Sequence, residues 1–303
     1  MISGAAGFLG AHFYDYYKAR GDEVVAFDIA KERPDGVYGF EAREFFGSSG
    51  VTFDLAFHFA AVVEGREVIE NDPMRQADNA ALDVAFFRWA VGHTEVAIYP
   101  SSSAVYGIGY QRAAGRALIE TMFHPDQTEW AAPDEWYGTE KLMAEYLAWT
   151  AARKYGLNVL CIRPFSGYGE GQSKSYPVPA ICERAFNRED PLVVWGSGSQ
   201  SRDFVHVSDL VGATVARLEA GVEGYQRMNI GTGAPTTFVE VAKTAAGIVR
   251  YSPKIVTDES KPEGVHARYA DVTEMLRYYQ PVVSLREGLV RTMVEMTKAG
   301  GIV

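Results

Sequence analysis

Two hydropathy patterns alternate along the first half of the chain. Leu55-Ala56-Phe57-His58-Phe59-Ala60-Ala61 is apolar almost without a break, the pattern of a strand buried on both faces of a parallel sheet. Glu23–Phe27, Val96–Tyr99 and Asn158–Ile162 predict further strands. Between them lie helical stretches: one to about Arg20, one over residues 71–92 opened by Asn71-Asp72-Pro73, and one from Gly138 to Tyr155. The last carries Leu142, Tyr146, Leu147 and Trp149, a broad apolar face that is either buried or shared with a second copy. Strand and helix in alternation predict an α/β chain with a doubly wound parallel sheet. Residues 30–50 are loop-like around a short Glu41–Phe46 helix, so one crossover is expected to be reduced. Only three residues precede the first glycine turn, and residues 108–135 read as an insertion.

Past Gly169 the alternation loosens. Helices are expected from Pro177 to about Asn187, over Val211–Leu218, over Phe238–Val249 and from Leu285 to about Lys298, with strands at Leu192–Trp195 and Arg227–Ile230. The expected division is residues 1–165, rejoined by 204–231, as one domain, and 166–203 with 232–303 as a smaller substrate lobe.

Candidate chemistry starts at Gly4-Ala5-Ala6-Gly7-Phe8-Leu9-Gly10, a glycine turn that opens a helix. Glycines there let backbone approach a pyrophosphate, which rests on the helix N-terminus. Asp28 closes the next strand 18 residues after Gly10, where a carboxylate can accept both ribose hydroxyls and would repel a 2′-phosphate. NAD is therefore expected in preference to NADP. Three serines, Ser101-Ser102-Ser103, fall at the carboxyl end of a strand, where doubly wound sheets bind ligands. Tyr137 and Lys141 stand one helical turn apart on one face. A phenol with a reference pKa near ~10 becomes a working acid/base at neutral pH when an ammonium favours its phenolate. His58 reads as a structural histidine, and Asn79, inside a helical pattern, as a bond across to a neighbouring loop.

Composition narrows the classes. With 303 residues and 47% hydrophobic content the chain can build a substantial core. Its net charge of -10 argues against a general affinity for nucleic acid or anionic membrane, so phosphate binding must rest on a few local arginines. No run of 18 apolar residues and no signal peptide pattern occurs, which points to a soluble cytoplasmic protein. Cys161 lies in an apolar run and Cys182 in a helical one, so neither belongs to a disulfide framework. The six histidines are scattered, and no metal is expected.

These landmarks, with Val105-Tyr106-Gly107, Arg163-to-Gly169, Arg202-Asp203-Phe204 and Arg268, resemble the extended short-chain dehydrogenase/reductase family, whose members modify nucleotide-sugars on a Rossmann-type sheet. The resemblance implies roles by position. Gly4, Gly7, Phe8, Leu9 and Gly10 would hold the NAD pyrophosphate, Asp28 its adenosine ribose, and Phe59, Ala60 and Ala61 would line the cofactor. Tyr137 would be the acid/base and Lys141 would hold the nicotinamide ribose. Ser102, with Ser103 as runner-up, would bond the substrate's 4-hydroxyl. Arg202 and Arg268 would clamp the diphosphate, with Ser166 and Val178 among the substrate contacts. A homodimer is also implied.

Departures narrow the reaction. Ser103 and Ala104 stand where 4,6-dehydratases of the family carry an Asp-Glu pair, and Ala104 where 3,5-epimerases carry a cysteine. Ser166 replaces the usual asparagine and Glu170 the usual proline. Tyr155–Leu157, Pro179–Ala185, Trp195-Gly196 and Glu263–Arg268 nevertheless resemble the GDP-mannose 3,5-epimerase branch. Expected first is 4-epimerisation of a UDP- or GDP-linked sugar through a 4-keto intermediate. Second comes 3,5-epimerisation using Lys174, Glu170 or Tyr110, and third a non-catalytic NAD sensor.

Overall fold

The computed structural model describes residues 1–30, 34–62, 73–111, 116–125, 127, 131–261 and 263–299. Asn71, Asp72 and Pro262, with parts of the 108–135 insertion, fall outside the described residues. Six strands lead the chain: β1 (Ile2–Ser3), β2 (Ala26–Asp28), β3 (Val37–Gly39), β4 (Phe53–His58), β5 (Thr94–Pro100) and β6 (Asn158–Pro164). Then come β7 (Leu192–Trp195), β8 (Ser201–Asp203) and β9 (Tyr225–Ile230), and β9 returns to the large sheet beside β6. The seven-stranded sheet runs β3-β2-β1-β4-β5-β6-β9, and all its pairs are parallel. Reversal of direction on either side of β1 makes the crevice between β1 and β4 the switch point where such sheets take ligands.

Alternating strand residues feed two cores. Ile98, Leu160 and Ile162 face Phe13 and Tyr17 of α1 (Phe8–Arg20) and, further on, Leu210 and Val211. Ala97, Tyr99, Val159 and Cys161 face the other side, with Phe46 of α2 (Ala42–Ser48), Phe86 and Trp89 of α3 (Asp78–Ala90), and Ala144 and Ala148 of α4 (Glu135–Tyr155). A period of two in strands covered on both faces requires this division.

A second lobe packs α5 (Pro177–Phe186), α7 (Phe238–Ile248) and α8 (Leu285–Ala299) around Val178, Ile181, Cys182, Val194, Val241 and Leu289. Between α5 and α7 in sequence, α6 (Val207–Glu219) lies on the large sheet with α1. Two small sheets complete the lobe: β10 (Pro235–Thr237), β8 and β12 (Ala267–Arg268) in one, β7 and β11 (Ile255–Asp258) in the other.

Several elements differ from expectation. β3 arises within the loop-like 30–50 segment, because an edge strand with Tyr38 and Gly39 exposed carries no buried pattern. β2 starts at Ala26, not Glu23, and ends on Asp28 itself. α6 starts at Val207, four residues early, where the His206 ring accepts from the Ser208 amide as a cap. Over residues 71–92 the described chain is a 3-10 turn (Pro73–Ala77) followed by α3.

Candidate active site

Between β1 and α1 the glycine loop doubles back tightly. A Cβ at Gly4, whose φ is +71°, would collide with the Phe59–Ala60 backbone, and one at Gly10 with the Gly4 carbonyl. The same contacts set Gly4 against Phe59 and Ala60 at the end of β4, with Phe59 stacked on Phe13 at 4.9 Å. Gly7 is the α1 N-cap and offers no side-chain cap, leaving the first-turn amides of Phe8, Leu9 and Gly10 open to an anion. Leu9 itself packs on the core. Asp28 accepts from the Ala6 amide at 3.0 Å and the Ala30 amide at 2.8 Å, so its carboxylate ties the glycine loop to the end of β2. Backbone cradle, open helix start and strand-end carboxylate fit a dinucleotide. Ala61 lies half-buried just past β4. Asn79 reaches back to the segment just after β4, accepting from the Val62 amide at 2.7 Å and donating to its carbonyl at 3.0 Å.

β5 ends in the serine turn. Ser101 donates to Glu145, Ser102 caps the 3-10 turn by accepting from the Ala104 amide at 3.1 Å, and Ser103 is buried. Glu145 in turn holds Arg163 through two bonds, 2.8 and 2.6 Å, and accepts from Tyr225 at 2.7 Å. Burial opposes the charge on Glu145, but Arg163 outweighs it and holds the carboxyl below its ordinary value. α4 packs against this turn closely enough that a Cβ at Gly138 would strike the Ala104 carbonyl. Tyr137, half-buried, is thereby carried beside the Ser102–Ala104 turn.

Lys141 is buried and donates to Tyr99 Oη at 3.0 Å, with Glu140 Oε1 3.6 Å from its ammonium. Tyr99 donates onward to Asp83 Oδ2 at 2.9 Å and Glu140 Oε1 at 3.4 Å. His58 Nε2 stands 3.4 Å from Asp83 Oδ1, its ring stacked on Phe86 at 4.5 Å and its Nδ1 2.9 Å from Ser3 Oγ. Burial depresses the Lys141 pKa, yet Glu140, Asp83 and Tyr137 outweigh that and keep it cationic. Burial and the Asp83 charge push Glu140 up to about 7 against the pull of Lys141. Asp83 is lowered: burial opposes its charge, but His58, Lys141 and Glu140 together prevail. Of this cluster the sequence singles out Lys141 and His58 but not Asp83, Tyr99 or Glu140. Its signals were an aspartate inside the apolar run Ala80–Trp89 and a glutamate abutting Lys141.

Arg202 and Arg268 are register partners on the adjacent parallel strands β8 and β12, an arrangement that sets them side by side on one face. Arg202 donates to the Val265 and Ser201 carbonyls at 2.7 and 2.8 Å and lies over Phe238. Arg268 donates to Gln111 at 2.5 Å and pairs with Asp134 at 2.7 Å. Asp134 is the N-cap residue of α4, so the arginine reaches the helix start that carries Tyr137. Ser166, two residues past β6, holds a φ of +31°, left-handed backbone that a non-glycine residue adopts at a cost. Val178 contributes its side chain to the second-lobe core and is 4% exposed. Glu170 Oε2 stands 3.0 Å from His206 Nε2, Lys174 pairs with Glu183 at 2.6 Å, and Tyr110 carries the Arg116 guanidinium over its ring.

Among the described residues no group of three or more His, Cys, Asp or Glu could hold a metal, and no helix is long and apolar enough to cross a membrane.

Comparison with known proteins adds to this geometry. The family model described as the NAD dependent epimerase/dehydratase family matches residues 1–231. A dTDP-4-dehydro-6-deoxy-D-allose reductase of Streptomyces sp is 29% identical, over 91% of this chain and 88% of its own length. GDP-L-fucose synthase of Escherichia coli (strain K12) is 31% identical over 64% of each. Of solved structures, MoeE5 in complex with UDP-glucuronic acid and NAD superposes with a TM-score of 0.83 over 98% of each chain, at 27% identity. Thermotoga maritima UDP-glucose 4-epimerase shares the fold, with a TM-score of 0.85 over 98% of each chain at 24% identity.

Proposed function

We propose, from the premise that this chain belongs to the NAD dependent epimerase/dehydratase family, that it inverts C4 of a nucleotide-linked hexose. The observation that carries this reading is a convergence at the first turn of α4. Tyr137 and Lys141 lie on that helix, Gly138 presses it onto the Ser102 turn, and Arg268 reaches its N-cap at Asp134.

Bound NAD supplies the acceptor, and later the donor, for the hydrogen at C4. Tyr137 takes the proton of the 4-hydroxyl and gives it back after the 4-keto sugar has presented its other face. Lys141, held cationic, favours the phenolate and is the donor for the nicotinamide ribose. Ser102 bonds the 4-oxygen. Arg202 and Arg268 offer two forked guanidiniums to a diphosphate, which would take Arg268 from Asp134. No further acid/base is needed, consistent with Ser103 and Ala104 in the serine turn. Of the groups that 3,5-epimerisation would call on, Lys174 pairs with Glu183 and Tyr110 lies under the Arg116 guanidinium.

A second reading is reduction of a 4-keto nucleotide-sugar, favoured by the reductase relatives that match nearly the whole chain. The same Tyr137 would then protonate the 4-oxygen once. Incubation with UDP- and GDP-hexoses and NMR of the products tests the first reading: C4 inverts with cofactor unconsumed. Stoichiometric oxidation of added reduced cofactor by a 4-keto sugar, with no inversion of any hexose, would replace it by the second.

A further inference from the structure

Around Lys141 sits a closed set of polar side chains from four elements. Asp83 comes from α3, Tyr99 from β5, Glu140 from α4 and His58 from β4. All are buried, at 4%, 1%, 1% and 1% exposure. Tyr99 Oη is the hub, accepting from Lys141 Nζ at 3.0 Å while its hydrogen faces Asp83 at 2.9 Å and Glu140 at 3.4 Å. Glu140 Oε2 is buried with no partner. Two carboxylates and one ammonium in such a space leave one negative charge in excess, a costly state that a single retained proton removes.

We propose that Asp83 and Glu140 share one proton and that this proton decides how strongly the Lys141 ammonium is drawn towards the carboxylates and away from the nicotinamide ribose. Glu140 and Asp83 are positioning residues, acting on the cofactor through Lys141. With the proton present, Glu140 is neutral and Lys141 is free to serve ribose and Tyr137. With it lost, two carboxylates compete for the ammonium.

Of the other titratable groups facing the cluster, His58, Tyr99 and Cys161 do not change charge in the same range. Burial keeps His58 neutral, and it pushes Tyr99 and Cys161 of β6 well above neutrality. Tyr137 faces Lys141 from the same helix, and the Arg163–Glu145 pair stays ionised on the far side of Cys161.

This inference rests on the reading that Lys141 holds the nicotinamide ribose, and its test separates the two. Infrared spectra of the cofactor-free chain across pH should show one buried protonated carboxyl at neutral pH, absent from Glu140→Gln. NAD titrations of the same proteins, without substrate, should show wild-type affinity falling about three- to tenfold between about pH 6 and about pH 8. In Glu140→Gln the affinity stays level over that range. Asp83→Asn, which removes the like charge, should lose the neutral-pH carboxyl band, and it reads the pair from its other side should Glu140→Gln fail to fold. Absence of the band, or a pH dependence of NAD binding unchanged in either folded variant, overturns the proposal. Failure of all the proteins to bind NAD, with the band present, would instead overturn the role given to Lys141 and with it the positioning role of the pair.

Discussion

Lys141 and its surroundings make the sharpest demands at the scale of single residues. Tyr137→Phe should lower turnover by about 10²- to 10⁴-fold and leave NAD affinity intact, measured by steady-state kinetics beside calorimetry. Glu140 also carries a stability signature. Its carboxyl ordinarily titrates at 4.5 and in the folded chain at about 7, so between those values the folded state binds more protons than the unfolded. Stability therefore falls as pH rises across that window. Glu140→Gln removes the dependence and should stabilise the chain at pH 8 by on the order of 1–3 kcal/mol, with little gain at pH 5, as denaturant titrations would show. The Glu145–Arg163 pair behaves oppositely. Glu145→Leu would strand a fully buried guanidinium and should cost about 3–5 kcal/mol.

Whole elements put these residues within reach of one another. Gly138 is the contact between α4 and the serine turn, and Gly138→Ala must push the helix off the Ala104 carbonyl. Loss of about 1–3 kcal/mol in stability is expected, with a drop in turnover larger than any change in NAD affinity. Arg202 and Arg268 depend on the β8–β12 pairing, and each change to alanine should weaken UDP or GDP binding at least tenfold, about 1.5–3 kcal/mol, without altering NAD affinity. Elements covered on both faces were legible from sequence, since β4 and β6 announce themselves as largely apolar runs. β3 and β12 were not, because short exposed strands owe their existence to neighbours rather than to a pattern of their own. In the site, Tyr137, Lys141 and the glycine loop follow from spacing along the chain. Asp83, Glu140 and Tyr99 meet only through tertiary packing, from positions as far apart as 83 and 140, and no local spacing encodes that.

At the scale of the molecule, an excess of ten negative charges surrounds a few arginines gathered on the second lobe. The proposed dianionic ligand would be admitted there by local charge and not by the overall field. α4 also exposes Met143 and Tyr146 on the side away from the sheet. A homodimer through that face is the expected assembly, and Tyr146→Glu should halve the mass seen by light scattering. The central claim concerns C4, and product NMR in deuterium oxide reads it directly, using UDP- and GDP-hexoses with NAD bound. The account predicts a sugar inverted at C4 with no deuterium on carbon, since the hydrogen leaves and returns without meeting solvent. Every hexose recovered unchanged while NAD is bound, or deuterium at C3 or C5, would contradict it.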